Sequence, residues 1–186
     1  MKEFSRNTYN KASTNKIVKD AGISKGLLFH YFSNKDKLYK YLESFVIRRI
    51  VEDIVNQIDW DQTDIFYRLN EAYLIKLQLF DKYPYLIEFS TKLFKDKTVE
   101  EIFYLEPDFP LELYTQIYTY NIDFSLFKEG IDVKRAINII RWTMEKYSEE
   151  YRRNIKDHEK IDLKVIEEDL FKYINLLKKS FYRDHN

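Results

Sequence analysis

The chain has 186 residues, enough for a real hydrophobic core in one large or two small domains. Three Gly and three Pro in that length favour long helices over turn-rich sheet, and the absence of Cys excludes disulfides, thiolate nucleophiles and Cys-based zinc sites. Nothing resembles a signal peptide, and no apolar run approaches the roughly 20 residues that span a bilayer, so a cytoplasmic protein with no membrane partner is expected.

The formal net charge of zero conceals an asymmetry. Residues 1–41 hold nine Lys/Arg against three acids, and the remaining 145 residues hold 22 basic and 28 acidic groups. A basic head of +6 on an acidic body of −6 suits polyanion binding at one end.

In chain order, Ser13 or Thr14 can cap a short helix from Asn15 to Asp20 that turns Ile17 and Val18 inward. Ala21-Gly22-Ile23 reads as a tight turn, with Gly22 free to take positive φ. Ser24 caps a second helix, Lys25 to about Phe32. Two short helices so joined make a helix-turn-helix, whose second helix enters the major groove. The residues of that helix suit the groove. Lys25 can meet phosphate or guanine, Gly26 lets the backbone approach closely, and Leu27 can touch a thymine methyl. His30 and Tyr31 can donate to phosphate or a base edge, and Lys35 lies in the first turn of the next helix.

Beyond residue 34 helical spacing dominates. Asn34 or Ser33 opens a helix running to about Ile58, and Asp61 or Thr63 the next, which ends at Tyr83-Pro84. Helices follow from about Tyr85 to Phe94 and Thr98 to Leu105, then a loop at Glu106–Pro110 and a helix from Leu111 to about Lys128, stopped at Gly130. Asp132 caps a long helix to about Lys156, and Asp162 a last one to about Tyr182. The fold class expected is all-α: a helix-turn-helix head, residues 1–40, followed by a helical domain of about six to seven helices, residues 41–186.

The run Ala21-Gly22-Ile23-Ser24-Lys25-Gly26-Leu27-Leu28-Phe29-His30-Tyr31-Phe32, followed by Asn34-Lys35-Asp36-Lys37-Leu38, resembles the signature of the TetR (tetracycline repressor) family. The resemblance implies DNA contact by Thr14, Lys25, Gly26, Leu27, His30, Tyr31 and Lys35, and a small core of Ile17, Val18, Ala21, Ile23, Leu28 and Phe32. Position 27 is often Thr in relatives, so Leu27 implies a more apolar base contact. Relatives place a helix of about four turns before this motif, of which Met1–Ser5 corresponds to the last turn, with Phe4 as its final core contact. Loss of the rest would uncover Ile17, Leu28 and Phe32 and weaken operator binding. The competing expectation is therefore an effector- or protein-binding helical dimer that has lost DNA binding.

For the body, the resemblance implies a homodimer built on the last two long helices, reading a palindromic double-stranded operator, and a small-molecule effector. The apolar stripes of those helices nominate Trp142, Tyr147, Leu170, Tyr173, Ile174, Leu177 and Phe181 for the interface, with packing inside one protomer as the alternative. The aromatic middle helices nominate Phe66, Tyr73, Phe89, Phe103 and Tyr118 as lining for a flat, hydrophobic, aromatic or cationic effector, with polar Lys76, Asn121 and Glu145 to orient it. Catalysis finds no support. His30, His158 and His185 are scattered, three glycines cannot write a dinucleotide or phosphate loop, and the carboxylate pairs Glu149-Glu150 and Glu167-Glu168 fall on polar faces. No catalytic residue, metal ligand or cofactor is expected.

Overall fold

The computed structural model describes residues 1–105, 111–154 and 162–183. Among them the chain forms α1 (Lys2–Arg6), α2 (Thr14–Ala21), α3 (Lys25–Phe32), α4 (Lys35–Gln57), α5 (Ile65–Lys82) and α6 (Pro84–Leu93). It continues through α7 (Val99–Phe103), α8 (Leu111–Thr119), a 3-10 turn (Phe124–Leu126), α9 (Val133–Asn154) and α10 (Leu163–Phe181). No strand occurs among the described residues beyond an isolated bridge between Phe127 and Tyr182, so the fold is all-α as expected. The loop expected at 106–110 and the residues just past Asn154 lie outside the described residues.

Side-chain caps set most helix starts, each satisfying amide groups that the first turn leaves without partners. Ser13 accepts from Lys16 N–H, Ser24 from Leu27 N–H and Asn34 from Lys37 N–H. Thr98 and Glu101 form a reciprocal capping box, and Asp162 caps α10. The cap of α5 is Asp64, which accepts from Phe66 and Tyr67, rather than Asp61 or Thr63. Lys178 reaches back to the same carboxylate at 2.8 Å, so the end of α10 is pinned to the start of α5.

The helix expected from Leu111 to Lys128 stops at Thr119. Asn121 takes φ 49°, a left-handed geometry its short amide tolerates, and its side chain donates to the Trp60 carbonyl. Asp123 then caps the 3-10 turn. Helical spacing hid this break because Ile122 and Phe127 are still buried after it.

Two clusters of buried side chains fill the molecule. One, around Phe66, Leu69, Ile117, Ile140, Leu170 and Ile174, joins α5, α8, α9 and α10. The other joins the first helices to the rest: Phe4, Val18, Leu28 and Leu38 share it with Val46, Leu79, Phe80, Leu86 and Phe89. Head and body therefore meet through apolar packing, and α4 runs unbroken across residue 40.

The apolar surface expected to lie open is largely covered. Leu28 is 3% exposed, Phe4 is 2% exposed, and Ile17 and Phe32 pack partly buried against the same cluster. The cover comes from α1 and α6, which pack together, Phe4 meeting Tyr39 at 5.0 Å and Phe89 at 6.4 Å between ring centroids. Ala21 and Ile23, expected in the head core, are exposed, because α1 packs toward α6 rather than across the α2–α3 turn. Polar contacts hold α1 in place. The buried Glu3 carboxylate accepts from Ser13 N–H at 3.1 Å and pairs with Lys16 at 3.0 Å; the Lys16 contact, then that of Ser13, holds its pKa below the usual carboxylate value. From α6, Lys92 donates to the Asn7 carbonyl at 2.8 Å, and Glu88 accepts from Ser5.

Candidate nucleic-acid interface and body cavity

The head is shaped by two residues at its turn. Gly22 sits at φ 67°, closing α2 in a conformation that would strain any side chain, and Ser24 starts α3 with its Oγ 3.0 Å from Leu27 N. The result is a short α3 whose inner face holds Leu28 in the core and whose outer face is open. Lys25, Gly26, Leu27, His30 and Tyr31 are all exposed, Tyr31 at 73% and Leu27 at 43%. Two apolar residues so open on one short helix are unexplained by internal packing.

Gly26 adds a sharper indication. A Cβ there would meet nothing of the protein nearer than Ser24 Oγ at 3.8 Å, so the fold itself does not require a glycine in this helix. Thr14, at the start of α2, is partly buried beside its cap. Lys35 is partly buried too: its ammonium lies 4.7 Å from the Tyr9 ring and 3.4 Å from the Asn10 carbonyl. Lys25 stacks over Phe29 at 5.9 Å, and His30 meets Tyr31 edge to face at 5.4 Å. Of the seven expected DNA contacts, five are exposed on α3, while Thr14 opens α2 and Lys35 opens α4.

The body contains a cavity of about 120 Å³ between α4, α5, α6, α9 and α10. Its apolar wall includes Ile50, Leu77, Phe80, Ile87, Phe94 and Ile166. Of the expected lining residues, Tyr73 borders this cavity, and so does Lys76. Phe66 and Tyr118 instead pack in the body core, and Phe89 and Phe103 in the cluster that reaches the head. Asn121 is exposed at its turn, and Glu145 is buried in an ion pair with Arg141 at 3.3 Å, its pKa raised by that burial.

The polar groups of the cavity divide in two. Several are committed to the protein: Tyr73 donates to the Leu163 carbonyl at 3.2 Å, Tyr147 to the Ile166 carbonyl at 3.3 Å, and Ser90 to the Ile87 carbonyl at 3.0 Å. The first two tie the opening turns of α10 to α5 and α9. Burial raises both phenols, Tyr147 to about 12, so they remain neutral donors. Arg152 donates to the carbonyls of Phe94 and Lys97 at 3.1 and 3.2 Å. Lys76 differs from these groups. Among the described residues its ammonium has no hydrogen-bonded or ion-paired partner and sits 5.6 Å from the Phe80 ring centre. Burial, and then the positive field of Arg152, lowers its pKa to about 8. Arg152, Ser90 and Thr91 on this wall were not read from the sequence, since only the folded helices bring them beside Lys76.

The expected interface residues also divide. Trp142 is 56% exposed and Tyr173 42%, and Leu177, Phe181 and Tyr147 are partly buried. Leu170 and Ile174, at 8% and 6%, turn into the protomer's own core, because the α10 stripe they share packs on α5 and α9. Exposed Ile139, Val165 and Leu176 occupy the outer side instead. Among the described residues no helix is long and apolar enough to cross a membrane, and no cluster of three or more acidic or His side chains is placed to hold a metal.

Residues 1–42 match the family model for bacterial regulatory proteins of the tetR family. The whole fold is similar to the crystal structure of a TetR family transcriptional regulator from Chloroflexus aurantiacus J-10-FL. The TM-score is 0.58 at 18% identity, with 98% of this chain and 89% of that one covered. No curated protein matches the chain. The α2–α3 unit thus lies inside a head that matches the tetR family model, and the chain as a whole shares its fold with that regulator.

Proposed function

We propose that the protein is a ligand-responsive transcriptional repressor that binds a palindromic operator as a homodimer. The observation that carries this reading is the open face of α3, where Lys25, Gly26, Leu27, His30 and Tyr31 stand together without internal partners that account for them. In this reading the head spans residues 1–40 and the effector and dimerisation domain residues 41–186. Lys25 neutralises phosphate or reads guanine, Leu27 touches a thymine methyl, and His30 and Tyr31 meet the backbone or base edges. Thr14 and Lys35 hold phosphates at the flanks, Lys35 by exchanging its contact with Asn10.

The outer side of α9 and α10, with Ile139, Trp142, Tyr173 and Leu176, forms the twofold interface and spaces two α3 helices one DNA turn apart. The body cavity takes the effector. Its wall includes Ile87, Ser90, Thr91 and Phe94 of α6 and its end, while Glu88, Phe89 and Lys92 of α6 touch α1 and the head cluster. A ligand that prefers one setting of α6 thereby biases the spacing of the heads, by no more than its differential affinity for the two states. DNase I footprinting of the intergenic DNA beside the gene tests the reading. Protection of two half-sites about one helical turn apart supports it, and uniform cleavage at protein concentrations that saturate non-specific DNA overturns it.

A further inference from the structure

The ligand chemistry of the body cavity follows from its charges. A lysine ammonium rarely enters an apolar wall without a carboxylate, because desolvation costs more than the packing returns. Among the described residues the group that faces Lys76 is Arg152, a second cation, and the other titratable groups lining the cavity are the phenols Tyr73, Tyr147 and Tyr151. The α4, α6 and α10 walls contribute Ile50, Ile87, Ser90, Thr91, Phe94, Leu163, Ile166 and Leu170, none of which ionises. Tyr73 and Tyr147 spend their protons on α10 carbonyls, and among the described residues no acid pairs with Lys76. Among the described residues the cavity is therefore an apolar chamber with a net positive end, where Glu149 partly offsets Arg152 and no acid pairs with Lys76.

We propose that this cavity takes a small apolar carboxylate, its anionic head between Lys76 and Arg152 and its body against Phe80, Ile87 and Ile166. The proposal rests on the reading of this cavity as the effector site and names the ligand class. The two cations disfavour the cationic effector that the aromatic composition also allowed. The volume of about 120 Å³ approaches that of engineered apolar cavities, of about 150 Å³, that hold benzene, so the body is of aryl or short alkyl size. Charge-assisted contacts supply selectivity for the head, and the apolar wall supplies affinity for the body.

Isothermal titration calorimetry of the full chain with hexanoate and phenylacetate, their primary amides, and phenethylammonium tests it. The carboxylates are expected to bind about tenfold to a hundredfold more tightly than the amides, and the ammonium weakest. Lys76→Met should collapse that preference while amide binding persists. Raising the pH from about 7 to about 9.5, through the Lys76 titration near 8, should weaken the carboxylates and spare the amides. Amides that bind as well as carboxylates, or a Lys76→Met variant that keeps the preference, overturn the ligand class and leave the cavity as an effector site. If no probe binds at millimolar concentration, the effector-site reading falls together with the proposal.

Discussion

Lys76→Met should stabilise the protein near neutral pH. Burial lowers the lysine from its ordinary 10.5 to about 8, so below pH 8 the folded state carries a cation that the unfolded chain holds more cheaply in water. At about 1.4 kcal/mol per pH unit, that gap corresponds to a penalty of roughly 3 kcal/mol, fully present below pH 8. Between 8 and 10.5 the folded lysine is neutral while the unfolded one still binds its proton, so the penalty fades as the pH rises. Methionine keeps the unbranched stem against Phe80 and removes the ammonium. Urea denaturation of both proteins at one fixed concentration and several pH values measures the difference. The expected gain is roughly 2–3 kcal/mol at pH 7, shrinking to about 1 kcal/mol near pH 9.5. A variant no more stable than wild type at pH 7, or a gain independent of pH, refutes the reasoning that Lys76 is a desolvated, unpaired cation.

Two further substitutions probe the head. Gly26→Ala should raise thermal stability by up to about 0.5 kcal/mol, since a helical residue favours Ala over Gly, less in this first turn than in an interior, and the new Cβ meets nothing nearer than 3.8 Å. The same change should weaken operator binding; a stabilised variant with undiminished affinity would show that α3 does not approach DNA through Gly26. Glu3→Gln should remove a pH-dependent part of stability. Because the folded carboxylate is held below its ordinary 4.5, its contribution is present above that value and lost as the pH falls through it and the lower folded one. Acid titrations followed by circular dichroism should therefore converge for the two proteins at low pH and separate above about pH 5.

The parts of the molecule legible in the sequence are those decided locally. The α2–α3 unit depends on Gly22 for its positive φ and on Ser24 for its cap, both visible as residue types at fixed spacing. The long helices followed from apolar spacing, with errors confined to ends. Asp64 outcompetes Asp61 and Thr63 as a cap because Lys178, more than a hundred residues on, also holds it. The break after Thr119 is invisible to spacing, since Asn121 carries it while buried Ile122 and Phe127 preserve the pattern.

The cavity was the least legible feature. Most of the aromatic residues that suggested a lining pack tightly with one another and leave no space. The opening arises where α4, α5, α6, α9 and α10 meet, a long-range outcome that no single stretch encodes. One local signal did point there. Lys76 sits among Tyr73 and Phe80, three residues before it and four after, a cation on an apolar helical face. Similarly, Leu170 and Ile174 look identical in sequence to interface residues, and only the packing of α10 on α5 and α9 assigns them to the interior.

Operator binding through α3 is the claim on which the rest stands. It is tested most directly by fluorescence anisotropy of wild type and Lys25→Ala on the intergenic DNA beside the gene, at two salt concentrations. A sequence-selective, salt-sensitive affinity is expected for wild type. The variant should bind every DNA more weakly, with its log–log salt slope reduced by about 0.9 for one lost phosphate contact. Unchanged affinity of Lys25→Ala at low salt, or wild-type binding no tighter than to unrelated DNA, would contradict the account.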